Sequence, residues 1–459
     1  MLLLDQESLR KIPKTDLFCL TMAPDPRIAP LRWQDWQHWL PVLMHVVLSA
    51  LVLALNSSKA VLSIGWIALI SLAVIYRLLD RSLWARLRRF TWTPAHLLMA
   101  LWLLALLTGF YAEDTDRWLR DLRTKSPLLW LPLAFFLMPP PTAQHRRWLA
   151  LGFIYAQAVW AIGTLVHLAL DYEAQLQRVA QNGNIDVMGS ISHIYFGLLL
   201  SAAVLLGLHL WLYQRPQLPG WRRWLMLSAV LLCFVTLHVL NSRTAQLGLY
   251  AGLGVFILTE ILRRRAWVTG GLALLLLLST PVVAYFLVPS FRTRVEVTLW
   301  DYQQAQIEGS DVANNSLSTR LYGWRAAWEV YQTAPLLGVG FEDLRAEMAQ
   351  RYGAWGLDLP EPMPPALQIP HNLYLKYLAG AGLPGLLLLF SLLIYPLFHR
   401  QKPQPTLLYS FLALMAVGFC FENFLERQIG IIFFCLAYLF LLPSEHTCAS
   451  HSKFEIRNS

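Results

Sequence analysis

Seven cations and one histidine stand out in a chain that is otherwise poor in charge: Arg117, Arg120, Arg123, Lys125, Arg243, Arg320, Arg325 and His371. A guanidinium pairs with phosphate through two parallel hydrogen bonds, which adds geometry to charge. An imidazole titrates in the range that general-base work needs. Cations beside long apolar segments suit an anionic ligand with a lipid tail. Other chemistries lack their residues. There is no GxxxxGKS/T loop and no GxGxxG turn after a strand to cradle a nucleotide. There is no HExxH or Cys/His cluster for zinc, and no nucleophile elbow around a serine.

Arg243 is the sharpest of these residues. It lies in Leu240-Asn-Ser-Arg-Thr244, between two apolar runs with almost no loop. An arginine near bilayer depth costs about 2.5–3.5 kcal/mol on insertion scales and normally has a partner or a function; the competing reading is a side chain that snorkels to the headgroups. Arg320 and Arg325 fall in a stretch, Ser318 to Thr333, where Leu321, Trp324, Trp328 and Tyr331 repeat with helical spacing and Ser318 suits the N-cap. Five residues apart is about 140° around a helix. One ligand therefore meets one of the two, and Arg320, near the helix start, is favoured; either is equally readable as part of a salt-bridged face. His371 follows Pro370 and precedes Asn372 at a helix start, where a phosphate is also favoured. A structural histidine is the alternative.

Arg117, Arg120 and Arg123 recur at i, i+3 and i+6 and form a basic stripe with Lys125 close behind. Glu113, Asp114, Asp116 and Asp121 sit beside it and can neutralise it. Asp114-Thr-Asp116 has the form of a divalent-cation pair, though acids at this end of a helix more simply cap it. Glu422 and Glu426 share a helix face next to Arg427. They either orient a cation or mark a membrane interface, and the sequence does not separate the two.

The elements that must position these residues are membrane helices. Of 459 residues, 56% are hydrophobic and 14% charged, against about 25% charged in soluble domains; mean hydropathy is +0.45. The apolar runs are long and unbroken, unlike the alternating strands of a barrel. The fold class is therefore an all-α integral membrane protein. Twelve spans are expected, at 40–55, 59–79, 95–112, 126–139, 147–170, 190–213, 222–240, 244–262, 267–289, 383–399, 405–421 and 424–442, the fourth short and carrying Pro132. The connecting segments fall into two alternating sets. One is short and basic: Asp80–Phe90, Gln144–Arg147, Arg215–Arg223, Arg263–Arg265 and His399–Lys402. The other holds most of the acids: Asn56–Lys59, Ala112–Ser126, Asp171–Gly189, the Asn241–Thr244 break, 290–382 and Glu422–Arg427. The positive-inside rule places the basic set, and with it both termini, in the cytoplasm. No cleavable signal peptide is expected, since about forty residues with five cations precede the first span. The +9 net charge reflects this topology, and no nucleic-acid partner is expected. None of the five Cys falls in an outward loop, so no disulfide is expected there.

The expected organisation is a cytoplasmic segment 1–39, spans one to nine over 40–289, an outward loop 290–382, spans ten to twelve over 383–442 and a cytoplasmic tail 443–459. The loop is long enough to be functional but too small for a complete catalytic domain. It opens with Phe291-Arg-Thr-Arg-Val-Glu and a polar stretch to Asn315. The helix from Ser318 follows, ended by Pro335 and the turn Gly338-Val-Gly-Phe341, then a helix Glu342–Tyr352. A stiff Pro-rich strap, 359–370, delivers His371 to a short helix ending near Gly380-Ala-Gly-Leu-Pro-Gly385.

Several of these pieces, in this order, resemble the O-antigen ligase/polymerase superfamily: Asn241-Ser-Arg-Thr, Ser318-Thr-Arg-Leu-Tyr-Gly-Trp-Arg-Ala-Ala-Trp, Pro335-Leu-Leu-Gly-Val-Gly-Phe341, His371-Asn-Leu-Tyr-Leu and Gly380-Ala-Gly-Leu-Pro-Gly385. The resemblance is densest over 240–430 and is strongest to the lipopolysaccharide O-antigen ligases. It implies a metal-independent glycosyltransferase of the bacterial inner membrane, with no cofactor. Such an enzyme moves a polysaccharide from an undecaprenyl-pyrophosphate-linked O-antigen donor to a sugar hydroxyl of the lipid A–core acceptor, at the periplasmic face and among membrane lipids. It assigns His371 as the catalytic histidine and Arg243 and Arg320 as the pyrophosphate-binding arginines. Arg123 and Lys125 are the candidates for the basic residues before span four, and Arg325 and Asn372 are secondary candidates for substrate contact. Alternatives remain. An O-antigen polymerase shares the donor, although the Gly254 that follows Arg243 lies in an apolar helix. A protein O-oligosaccharyltransferase belongs to the same superfamily. A transporter of lipid-linked sugars would show inverted repeats, which are not apparent, and a metal-dependent transferase would use Asp114 and Asp116.

Overall fold

Eighteen α-helices account for nearly all of the described chain in the computed structural model, which describes residues 36–88, 92–180, 184–189, 191–214, 220–305, 316–357, 359, 362–398 and 405–442. The expected terminal segments, for the most part, and parts of the basic connections and of the strap lie outside these residues. In chain order the first helices are α1 (Trp36–Leu53), α2 (Lys59–Leu79), α3 (Leu83–Arg88), α4 (His96–Thr108), α5 (Thr115–Lys125), α6 (Pro127–Leu137), α7 (Ala143–Leu170), α8 (Tyr172–Ala180) and α9 (His193–Tyr213). Then follow α10 (Gly220–Leu240), α11 (Arg243–Arg264), α12 (Trp267–Leu287), α13 (Pro289–Ala305), α14 (Ser316–Thr333), α15 (Leu344–Ala354), α16 (Leu373–Phe398), α17 (Pro405–Phe421) and α18 (Gln428–Leu441).

Among the described residues eight helices are long and apolar enough to cross a membrane: α1, its end extended to Asn56, then α2, α7, α9, α10, α11, α12 and α16. The chain is a multi-pass membrane protein. Three shorter apolar helices, α4, α17 and α18, stand where further spans were expected. The expected 126–139 span appears as the eleven-residue α6, with Pro132 inside it. The run expected over 424–442 is helical only from Gln428, because Phe424–Glu426 winds into a 3₁₀ turn that carries Glu426. Hydroxyl and carboxylate caps start several helices: Ser58 accepts from the Val61 N–H, Thr142 from His145 and Asp114 from Arg117.

At helix ends that the basic connections join, Arg77 donates to the Leu137 carbonyl at 2.6 Å, Arg147 to Gln214 at 3.1 Å, and Thr406 to Glu260 at 2.9 Å. At the ends that the acid-rich connections join, Tyr111 donates to the Leu337 carbonyl at 2.8 Å, the Glu113 N–H to Asp343 at 2.9 Å, and Arg294 to Asn184.

The bundle core is one continuous cluster from Met44 to Leu442, with α9 at its centre. The segment 316–381 builds a second, smaller core from Ala326, Ala327, Val330, Leu344, Met348, Tyr352, Leu367 and Ala379. It is zipped to the bundle by backbone. The Val339 and Gly340 N–H groups donate to the carbonyls of Ala379 and Gly380 at 3.0 and 2.9 Å, and Leu383 donates to Pro335 at 3.0 Å. Here α16 breaks: Ala381 and Gly382 are non-helical, Gly382 at φ 64°. A Cβ on Gly382 would stand 2.3 Å from the Leu336 carbonyl oxygen, and one on Gly338 2.4 Å from the Gly380 backbone. These glycines are required because two backbones touch, and a left-handed φ comes with the contact.

Two elements of this segment differ from the sequence reading. The polar stretch from Phe291 is largely a helix, α13. The helix expected from Ser318 begins at Ser316, so Ser318 is an internal, fully buried residue and not a cap. The second helix runs Leu344–Ala354, slightly beyond the expected Glu342–Tyr352.

Candidate functional site

Three helix starts, a turn and a buried helix face meet in one region. The reversal between α10 and α11 is made by Asn241, at φ 56°, a conformation asparagine tolerates. It places Arg243 as the first residue of α11, whose guanidinium donates to the Thr298 hydroxyl of α13 at 2.8 Å. Thr298 in turn donates to the Arg294 carbonyl at 2.6 Å. Arg294, Thr298 and Asp301 follow at i, i+4 and i+7, one face of α13. Arg294 is 6% exposed and Asp301 fully buried.

Arg320, in the second turn of α14, belongs to the same group. Its guanidinium is held below the ordinary arginine range by burial, partly offset by the Glu422 carboxylate. Arg294 is shifted down by burial and by Arg320, against the pull of Asp301. His193, the first residue of α9, has Arg294, Glu422, Arg320 and Arg243 as its charged neighbours. Within the group the Asp301 and Glu422 carboxylates offset part of this like charge.

His371 joins through Glu422. Its Nδ1 lies 3.8 Å from a Glu422 carboxylate oxygen, and Glu422 is 7% exposed. The separation is an ion-pair distance and too long for a hydrogen bond. His371 has a left-handed backbone at φ 47°. For a residue that is neither Gly nor Asn this costs of the order of 1–2 kcal/mol, and strain of this kind gathers at functional positions. The strap imposes it, because Leu367 is fully buried and its carbonyl accepts from Tyr352 at 3.1 Å, while the next residue, Asn372, must start α16. Asn372 does so with its side-chain oxygen, which accepts from the Leu375 N–H at 3.0 Å.

Glu422 thus faces His371 and neighbours Arg320 and His193, and Arg243 and Arg294 join the group through Arg320. The structure does not bring the secondary candidates there. Arg325 points away, pairing with Glu329 at 3.1 Å and stacking over Trp355 at 4.4 Å. Arg123 is exposed. Asn372 is committed to its cap. Lys125 is 1% exposed and lies 3.1 Å from Glu426, which Lys376 also contacts at 2.7 Å; the Lys125 ammonium also rests 4.4 Å over the Phe341 ring. Burial opposes the charge on Lys125, but Glu426, with Tyr377, Asp121 and Glu342, outweighs it and raises its titration above the usual lysine range. This is a structural ion triad that clamps α5, α16 and the turn before α18 together. The Asp114 carboxylate is likewise occupied as a cap, accepting from the Arg117 N–H at 2.9 Å.

The sequence reading passed over Arg294 and His193. A signal existed for Arg294, since Arg294, Thr298 and Asp301 make one polar stripe at helical spacing. His193 sits alone after Ser192 with no motif around it.

Buried and half-buried arginines beside an apolar bundle, with an imidazole backed by a carboxylate, can hold a lipid-borne phosphate group and take a proton next to it. No curated protein matches the chain. Residues 228–390 match the family described as O-antigen ligase. Its members are membrane enzymes of the glycosyltransferase type that act on lipid-linked O-antigen substrates. Arg243, Arg294, Arg320 and His371 all fall within the segment that resembles this family.

Proposed function

We propose that the protein is an O-antigen ligase. It transfers O-antigen polysaccharide from undecaprenyl pyrophosphate to a hydroxyl of the lipid A–core, at the periplasmic face of the bacterial inner membrane. It does so as a twelve-span protein with both termini in the cytoplasm. The observation that carries this reading is the grouping of Arg243 and Arg320 with His371 and its carboxylate partner Glu422.

Arg243 and Arg320 bind the diphosphate and stabilise the charge that develops on it. His371 withdraws the proton of the acceptor hydroxyl. The acceptor oxygen forms its bond to the anomeric carbon as the bond from that carbon to the phosphate oxygen breaks. The electron pair leaves with the lipid diphosphate, the configuration inverts, and the proton ends on the imidazole. Glu422 orients the ring and supports the imidazolium. Fixed cations aimed at a developing charge in a water-poor site are commonly the largest contribution to such a reaction. The acid-rich connecting segments, gathered at one end of the bundle with the cluster, support the periplasmic placement.

The test is transfer in vitro with purified protein, a defined undecaprenyl-pyrophosphate-linked glycan and three acceptors offered separately. Covalent product on rough lipopolysaccharide is the expected result. Product only on a second lipid-linked chain would make the protein a polymerase, and product only on a peptide a protein O-oligosaccharyltransferase. Movement of the donor across a vesicle membrane with no product would make it a transporter.

A further inference from the structure

Two helix starts meet outside the group built on Glu422. The Glu113 and Asp114 N–H groups, just before α5, donate to the two carboxylate oxygens of Asp343, just before α15, at 2.9 and 3.2 Å. Asp114 accepts in turn from the Arg117 N–H at 2.9 Å. These bonds make Arg117, in the first turn of α5, a neighbour of Arg345, in the first turn of α15. Burial and the facing Arg117 hold the Arg345 guanidinium below the ordinary arginine range. The carboxylates that fasten the two starts are spent on backbone donors, and among the described residues neither guanidinium has an ion pair or a hydrogen bond. An apolar rim adjoins the pair. Tyr111 donates to the Leu337 carbonyl at 2.8 Å and the Leu383 N–H to the Pro335 carbonyl at 3.0 Å, so the turn after α14 ties the end of α4 to α16. Along this join Phe110, Leu336 and Leu337 are 85, 71 and 67% exposed. Leu107 on α4 and Leu383 and Leu387 on α16 continue the exposed apolar surface along two helices that pack together.

We propose that Arg117 and Arg345 bind a phosphate on the membrane anchor of the acceptor, the lipid A disaccharide, while its acyl chains lie against Phe110, Leu336, Leu337 and the surface of α4 and α16. The inference rests on the proposed function and deepens it by giving the acceptor a site of its own. Lipid A is a phosphorylated disaccharide that carries several acyl chains. Guanidiniums without partners match its phosphate, and the apolar rim matches its chains. The apolar surface alone suits any lipid; the arginine pair is what selects a phosphorylated one. Spacing selects the acceptor over the donor. The donor diphosphate is bonded to the reacting anomeric carbon and must lie next to His371. The acceptor's anchor phosphates are separated from the attacking hydroxyl by the sugars of the core. The turn that carries Leu336 and Leu337 meets α16 at Ala379 and Gly380, about 10 Å along the helix from its start beside His371. A phosphate held at this rim is remote from the bond being made.

The experiment measures binding of lipid A, of lipid A with its phosphates removed, and of phosphatidylglycerol to the full-length protein in phosphatidylcholine nanodiscs. The unaltered protein is expected to bind lipid A at least about tenfold more tightly than the dephosphorylated form, as charge-assisted contacts imply. Arg117→Gln combined with Arg345→Gln is expected to remove most of that preference, with binding of dephosphorylated lipid A and of undecaprenyl diphosphate kept within about twofold. Arg345→Gln alone should lose part of the preference, and serves if the double variant does not fold. Arg292→Gln, which removes an exposed cation paired with Glu296 on α13, should keep it. In transfer assays the double variant should show a raised KM for rough lipopolysaccharide with kcat little changed. A preference unchanged in the double variant or in Arg345→Gln, or lost equally in Arg292→Gln, would overturn the assignment. So would phosphatidylglycerol bound as tightly as lipid A, which would make the pair a contact for any anionic lipid. If the unaltered protein forms no product on rough lipopolysaccharide while its preference for lipid A still depends on Arg117 and Arg345, the proposed function fails and the lipid A site stands.

Discussion

Replacing His371 with alanine should lower glycan transfer about 10²- to 10⁴-fold, the usual contribution of a general base, with the protein still inserted and folded. The imidazole can make this contribution because its position is set twice: the strap holds the backbone at φ 47°, and Glu422 faces Nδ1 at 3.8 Å. The same strain calls for a control, since alanine is a poor occupant of a left-handed backbone. Asparagine and glycine tolerate it better, so His371→Asn and His371→Gly should fold at least as well as His371→Ala and transfer no faster. Imidazole added to the His371→Gly protein should restore part of the rate. Transfer by these variants near the unaltered level, with assays of initial rate at saturating donor, would remove the base from His371.

Glu426→Gln should be the most destabilising single change in the acid-rich segments. It leaves the Lys125 and Lys376 ammoniums, which lie 3.1 and 2.7 Å from the carboxylate, without their shared counter-charge in a buried place. Breaking one partner out of a buried ion pair costs about 3–5 kcal/mol. Thermal unfolding in detergent or nanodiscs should therefore shift down sharply, with loss of folded protein from membranes. Lys376→Met should cost less, because Lys125 and Glu426 remain as a pair. A triple replacement with Lys125→Met, Glu426→Leu and Lys376→Met should recover much of the loss. The pH dependence has a definite sign. Lys125 titrates above its ordinary range in the folded protein, so its contribution is complete below the usual lysine range and fades only as pH rises through the raised value. Stability from Lys125 should be flat through neutral pH. A Glu426→Gln protein as stable as the unaltered one would show that the triad holds nothing together.

These two residues also show what a sequence can and cannot disclose. Long apolar runs fix helical spans because a membrane leaves the backbone no other partner. The alternation of basic and acidic connections then divides the connecting segments into two sets. Arg320 and Arg325 were separable in sequence because a helix turns them apart, and Arg325 is indeed spent on Glu329 and Trp355. Helix α13 was not legible. Arg292, Arg294, Glu296 and Asp301 make it look like solvated loop, and the eye expects an apolar stripe where this helix buries a polar one. The pairing of Lys125 was not legible for a related reason. In sequence it continues a basic stripe, and only the distant Glu426 and Lys376 reveal that it is buried and paired. Glu422 and Glu426 look alike on one short stretch of chain, yet the first faces His371 and the second two lysines, a division that depends wholly on tertiary contacts.

The most direct measurement is a structure of the protein with undecaprenyl diphosphate bound, in a lipid nanodisc. The account predicts density for the diphosphate between the guanidiniums of Arg243 and Arg320, within hydrogen-bond distance of both, with the His371 ring adjacent and the polyprenyl tail running into the bilayer. A diphosphate seated instead on the stripe of Arg117, Arg120 and Arg123, with Arg243 and Arg320 untouched, would contradict it.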